Sequence, residues 1–244
     1  MNRNPCLLSV LILIVVAFAS CDSRMQGMMK PVVEEIVEDP FADVPRITVA
    51  DAFSQDYITG PWLWMIAPTE PGQGGAASID IDSLAVASDS AVSEVDVATK
   101  GVAEGDTIGD FTWMLGKIAE PPALNNIGDV VVNELGWATG RFLEDRSSYA
   151  LISLVSDKDQ SDLTMQVGSD DAIKVWLNGE VVHKNPVNRT GFGFQDEFKV
   201  DLKMGDNLLL VKVSNRGADW AMFVGIQDPQ DDTTTDPEQV MQNN

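Results

Sequence analysis

The tightest constraint in this sequence is a hairpin written out between Ile173 and His183. Ile173, Val175 and Leu177 alternate with Lys174 and Trp176, Asn178-Gly179 breaks the run, and Val181-Val182-His183 returns. Asn-Gly supplies the positive φ angles of a tight type I′ turn. Strict alternation fixes which side chains share a face, because a one-residue slip would turn the whole set over. Further short runs carry the same signal: Phe111–Leu115, Tyr149–Val155, Leu163–Val167, Phe198–Leu202 and Trp220–Ile226. Leu208–Val213 is continuous enough to read as a buried strand, and Gly205-Asp206-Asn207 turns the chain before it. Ile58–Ala67 is rich in Trp and branched residues, with Gly60-Pro61 breaking its start, and Val130–Leu135 reads as strand or short helix. About nine to eleven short strands between turn clusters imply an antiparallel sandwich or barrel rather than an α/β fold. Residues 72–92 alternate only weakly, at Ile79, Ile81 and Leu84, and Ser93 with Asp96 approximates a capping box that opens a helical turn.

Charge divides the chain. There are 38 acidic against 16 basic side chains, a formal net charge of −22. Such a surface repels phosphate, which argues against nucleic acid. Residues 22–45 hold six acids and two bases, residues 70–110 nine and one, and residues 228–244 five and none. Residues 111–227 are near balance, with sixteen acids and eleven bases. The compact part therefore lies there, while tether, insertion and tail carry the excess. The sole histidine, His183, removes most Ser-His-Asp and Cys-His machinery and every multi-histidine metal site, and two cysteines make no disulfide scaffold.

The first twenty residues hold Arg3 and then an apolar run from Leu7 to Ala19 interrupted by Ser9. That run is short for a bilayer span of about 20 apolar residues and fits the apolar region of a secretory signal. Ala19 and Ser20 before Cys21 resemble the lipobox of bacterial lipoproteins, with Phe18 where leucine is usual. The resemblance implies a diacylated Cys21, a membrane-anchored cell-envelope protein, and either leaflet; the alternative is an ordinary signal cut after Ala17-Phe18-Ala19 that leaves Cys21 a free cysteine. The expected organisation is a signal peptide over 1–20, an acidic tether over 21–45, a β-sandwich over 46–227 and a disordered acidic tail over 228–244.

The stretch Gly168-Ser-Asp-Asp-Ala-Ile-Lys-Val-Trp-Leu-Asn-Gly-Glu-Val-Val-His183 resembles a segment of galactose-binding-like jelly rolls of exported bacterial proteins. The likeness continues through Asn185, Asn188-Arg189, Gln195-Asp196, Leu202, Gly205, Asn207–Val213 and Trp220. It implies an all-β jelly roll with short helical turns and a carbohydrate-binding-like role. Ser169-Asp170-Asp171 before the Leu-Asn-Gly turn is also similar to protective-antigen-type sugar-binding domains, with Ala172 where glycine is common. That likeness implies calcium on Asp170 and Asp171. The alternative for the pair is turn chemistry, carboxylates bonded to nearby backbone N–H groups.

The candidate ligand-binding residues are Trp176, Asn178, His183, Asn188, Arg189, Gln195, Asp196 and Trp220. Trp176 is a stacking platform if its sheet face is solvated and core if that face is covered. Trp62, Trp64, Trp113, Trp137 and Trp220 pose the same question, and most are expected to be buried. Arg189, Gln195 and Asp196 in the loop 184–197 suit sugar hydroxyls, and an Arg–Asp loop clamp explains them equally well. The expectation is a non-catalytic protein that binds a glycan or polysaccharide. A structural envelope lipoprotein with a protein partner is the alternative, and a paired-carboxylate glycosidase a third reading. An exposed Trp176 or Trp220 beside a polar loop favours the sugar, and burial favours the protein partner.

Overall fold

The computed structural model describes residues 39–118, 144–217 and 220–229. Val130–Leu135, Trp137, Cys21, the expected signal and most of the expected tether and tail lie outside the described residues. The folded body reaches back past the expected boundary at 46: Val44 is buried, and Arg46 pairs with Asp39 at 2.5 Å and with Asp206 at 2.7 Å.

The body is the expected antiparallel β-sandwich. The larger sheet contains β1 (Arg46–Thr48), β2 (Trp62–Pro68), β5 (Met114–Gly116), β6 (Arg146–Ser156), β8 (Ala172–Leu177), β9 (Glu180–Asn185) and β11 (Gly205–Asn215), in the order β5-β2-β6-β11-β8-β9. β1 is the parallel exception: it pairs with Ser153–Val155 of β6, beyond the stretch that β2 occupies on that edge. The smaller sheet is β10 (Asp196–Leu202), β7 (Gln160–Asp170) and β12 (Ala221–Ile226), in the order β10-β7-β12. Asn178 and Gly179 both take positive φ, as the hairpin between β8 and β9 requires.

Alternation decides what fills the sandwich. Trp62, Trp64 and Ile66 of β2, Ile173, Val175 and Leu177 of β8, and Leu209, Val211 and Val213 of β11 point inward. Leu163, Met165 and Val167 of β7, Val200 and Leu202 of β10, and Met222, Val224 and Ile226 of β12 meet them, with Trp220 in the same cluster. The opposite side of β7, β10 and β12 therefore presents Thr164, Gln166, Gly168, Glu197, Lys199, Phe223 and Gly225.

The acidic insertion is a third layer. It holds α2 (Ser83–Ala87), α3 (Glu94–Lys100) and the short pair β3 (Thr107–Ile108) and β4 (Phe111–Thr112). α3 starts at the expected capping box: the Ser93 hydroxyl accepts from Asp96 N–H, and the Asp96 carboxylate accepts from Ser93 N–H. Hydrogen bonds from Lys100 and Ser93 hold the Asp96 carboxyl down at about 2. Leu84, Val97, Ala98, Ile108 and Trp113 pack onto Leu63, Met65, Tyr149, Leu151, Trp176, Leu208 and Leu210, the outward side of the larger sheet.

A buried charge cluster fixes that layer. Lys212 of β11 is fully buried, and its Nζ donates to Glu94 Oε1 at 2.8 Å and to the carbonyls of Ser78, Ile79 and Ile81 at 3.2, 3.3 and 2.5 Å. The Tyr149 hydroxyl donates to the same Glu94 oxygen at 2.8 Å, and Lys174 Nζ lies 3.5 Å from Glu94 Oε2. Burial lowers the Lys212 ammonium below the usual lysine range, with Glu94 opposing the shift. Burial and the Glu94 charge push the Tyr149 phenol well up. Removing one partner of such a pair strands the other charge, at a cost of about 3–5 kcal/mol. Urea denaturation of Lys212→Met or Glu94→Gln is expected to show a loss of that order, and the double variant a partial recovery. A single-variant loss under about 1 kcal/mol would show that the pair does not anchor the third layer.

Candidate functional site

The polar residues singled out in the sequence converge, and they converge on each other. Arg189 sets both ends of its guanidinium on Asp196, Nη1 to Oδ1 at 2.9 Å and Nη2 to Oδ2 at 2.6 Å. The same guanidinium donates to the Ser169 hydroxyl at 3.0 and 3.3 Å. Asn185 donates to Asp196 Oδ1 at 2.8 Å, and His183 Nε2 lies 3.2 Å from Asp196 Oδ2 while its ring stacks on Phe198 at 4.5 Å. Gln195 accepts from Ser169 N–H at 3.1 Å and donates to the Thr190 carbonyl at 3.0 Å. Asn188 accepts from Ala76 N–H at 2.7 Å, tying the loop to the insertion. This is the loop clamp, and planar Arg–carboxylate pairing suits it.

Asp170 and Asp171 complete the tie. Asp171 accepts from the backbone N–H of Arg189 at 3.0 Å on Oδ1 and of Arg216 at 2.9 Å on Oδ2. Asp170 Oδ2 accepts from Gly191 N–H at 3.3 Å. Three of the pair's four carboxylate oxygens thus face backbone donors. Among the described residues no three or more His, Cys, Asp or Glu side chains gather where an ion would sit.

Both tryptophans chosen as binding platforms are core. Trp176 is 1% exposed, because the third layer covers its sheet face, where Lys174 Nζ lies 4.6 Å from the ring centroid. Trp220 is 3% exposed inside the sandwich. Trp62, Trp64 and Trp113 are buried, as expected. Asn178 is an anchor of the hairpin: it donates to Asn207 Oδ1 and accepts from Leu208 N–H, each at 3.0 Å.

What the clamp builds lies beside it. The loop crosses the outward side of the smaller sheet at glycines: a Cβ on Gly168 would collide with the Gly193 carbonyl, and one on Gly225 with the ring of Phe194. Phe194 consequently lies across β12. Ile58 N–H donates to the Val224 carbonyl at 2.8 Å, which lays the chain before it along the same strand. Tyr57 then meets Phe194 at 4.8 Å between ring centroids and Phe223 at 5.5 Å. The rings of Tyr57 and Phe194 stand at a cleft of about 580 Å³ lined also by Phe53, Gln55, Asp56, Asp162, Thr164, Gln166, Lys199, Gln227 and Asp228. Phe53 comes from α1 (Val49–Phe53), which Thr48 caps by accepting from Asp51 N–H at 3.0 Å. Lys199 Nζ donates to Thr164 Oγ1 at 2.6 Å, and Gln166 Nε2 to Glu197 at 2.5 Å. None of the candidate ligand-binding residues chosen by sequence lines this cleft. The signals for it were the glycines: Gly168 and Gly225 sit inside strands, where an isolated glycine marks a close approach.

No family model matches this chain, and no curated protein matches it. Among solved structures, a β-glucosidase from Kluyveromyces marxianus in complex with glucose is similar over 36% of this chain at 16% identity and a TM-score of 0.29. The match spans 10% of the β-glucosidase. The PA14 domain of the MpAFP antifreeze protein is similar over 70% of this chain and 84% of its own, at 13% identity and a TM-score of 0.43.

The clamp gives a pH prediction. Burial pushes the Asp196 carboxyl up, and hydrogen bonds from Arg189, Asn185 and His183 outweigh it, leaving the group below the ordinary range. A lowered folded value stabilises above the unfolded carboxylate range, about pH 4, and that contribution is lost as pH falls through the folded value. Melting temperature followed from neutral pH downward is expected to fall more steeply below about pH 4 in the native chain than in Asp196→Asn. Parallel curves would show that the clamp adds nothing to the folded state.

Proposed function

We propose that this chain is a non-catalytic, carbohydrate-binding-like protein of the cell envelope, anchored through lipid on Cys21, that holds a glycan in the cleft on the smaller sheet. The cleft carries the reading. Two half-buried aromatic rings, Tyr57 and Phe194, stand in its wall, and aromatic surface suits the C–H side of a sugar ring. Amide, hydroxyl and carboxylate groups from Gln55, Gln166, Thr164 and Asp162 stand around them to meet hydroxyls. A concave site that mixes aromatic surface with a few polar groups is the usual form of a small-ligand site. Arg189, Gln195, Asp196 and His183 act here as positioning residues, since they hold the loop that delivers Phe194.

Asp170 and Asp171 are proposed to serve as turn carboxylates rather than as the calcium ligands the resemblance implies. Calcium wants six to eight oxygen ligands, and the pair directs three oxygens to N–H donors. Sugar binding is therefore proposed without an ion. The sugar is proposed to be held and released unchanged.

A specific observation favours the alternative of a protein partner: Trp176 and Trp220, the expected platforms, are buried. One experiment separates the two. The chain from residue 22 onward is applied to a glycan array with calcium and with chelator, beside Tyr57→Ala and Phe194→Ala. Binding is expected in both conditions, and each variant is expected to weaken it roughly tenfold, the size of an aromatic contact of about 1.5 kcal/mol. Binding abolished by chelation would return the site to Asp170-Asp171. Cleaved glycan in the bound fraction would contradict the non-catalytic reading. No binding by folded protein would leave the protein partner.

A further inference from the structure

Resting on the glycan reading, we infer that the cleft takes an amine-bearing glycan: an oligomer of 2-amino sugars whose nitrogen is free and protonated. Two independent features of the cleft prefer the same sign of charge. The first is its ionisable lining, Asp56, Asp162 and Asp228 against Lys199. Lys199 is turned onto Thr164 at 2.6 Å, along the sheet. The second is the pair of half-buried rings, Tyr57 and Phe194, in its wall, since an aromatic ring attracts an ammonium within about 6 Å of its centroid. A uronate or sulfated sugar would meet carboxylates and π-faces together. An N-acetylated sugar would keep the stacking and hydroxyl contacts but lose the attraction of both. Long-range attraction adds to the preference, since the chain carries a net charge of −22. The inference therefore concerns the share of binding that depends on the cleft itself.

The test uses the chain from residue 22 onward and three probes: a glucosamine hexamer, its fully N-acetylated counterpart and a galacturonate hexamer. Affinities are measured by calorimetry where the amines are charged, at low salt and again near 0.5 M, where screening acts within about 4 Å. The glucosamine hexamer is expected to bind tightest, about five- to tenfold over the N-acetylated one, as two or three exposed ion pairs allow. That margin is expected to shrink in high salt. Asp56→Asn combined with Asp162→Asn is expected to remove most of it, weakening the glucosamine hexamer several-fold more than the N-acetylated one. Tyr57→Ala, which keeps the net charge, is expected to weaken both. Equal or tighter binding of the N-acetylated hexamer, or binding of the galacturonate, overturns the inference and leaves the glycan reading standing. Glucosamine binding that survives both the double variant and Tyr57→Ala is attraction to the chain at large, and it overturns the inference too. Binding of none of the three, together with a blank glycan array, means that the glycan reading itself fails.

Discussion

A single ammonium in the middle of a sheet organises this molecule. Lys212 stands among Leu208, Leu209, Leu210, Val211 and Val213 on β11, fully buried. A buried charge is tolerable only when paired and hydrogen-bonded. Glu94 supplies the charge and three carbonyls of residues 78–81 supply the remaining acceptors. All four come from the insertion, so the sheet can bury Lys212 only by accepting that layer. The layer in turn covers Trp176, Tyr149 and their apolar neighbours. One outward side of the sandwich is thereby closed. The polar outward side of the smaller sheet is where the cleft forms.

A second polar cluster does a different task. Asp196, Arg189, Ser169 and His183 satisfy one another, and Asp171 ties the backbone at Arg189 and Arg216. Groups so fully engaged are poor recognisers of a ligand, since each would have to give up a partner first. Their effect is geometric. They set a glycine-bearing loop down on Gly168 and beside Gly225, and so place Phe194 against Tyr57. The residues richest in hydrogen bonds are the frame, and the less heavily bonded residues beside them line the cleft.

Much of the scaffold could be read directly. The Asn178-Gly179 turn, the inward set of β8 and the Ser93–Asp96 cap are local, and each follows from spacing over a few residues. The third layer was not legible, because nine acids against one base over residues 70–110 read as a solvated segment. Glu94 departs from that reading through Lys212, 118 positions away, and no local pattern joins them. Lysine inside an otherwise apolar strand was the available hint, since such a charge demands a partner. The loop residues do gather in space, but grouping in sequence does not show whether side chains face a ligand or one another. Tyr57 and Phe194 carry no local signal for a similar reason. Neither lies in a strand, and their contact exists only once Ile58 has joined β12 and Gly225 has left room for a ring.

Whether the outward side of the smaller sheet receives the ligand decides between the functional readings. Amide chemical-shift mapping during titration with a glycan selected from the array tests it most directly. The shifts are expected to concentrate at Tyr57, Thr164, Gln166, Phe194, Lys199 and Gly225, with the third layer over Trp176 unmoved. Shifts centred on residues 75–113, or on the β8–β9 hairpin with the cleft silent, would contradict a ligand site on the smaller sheet.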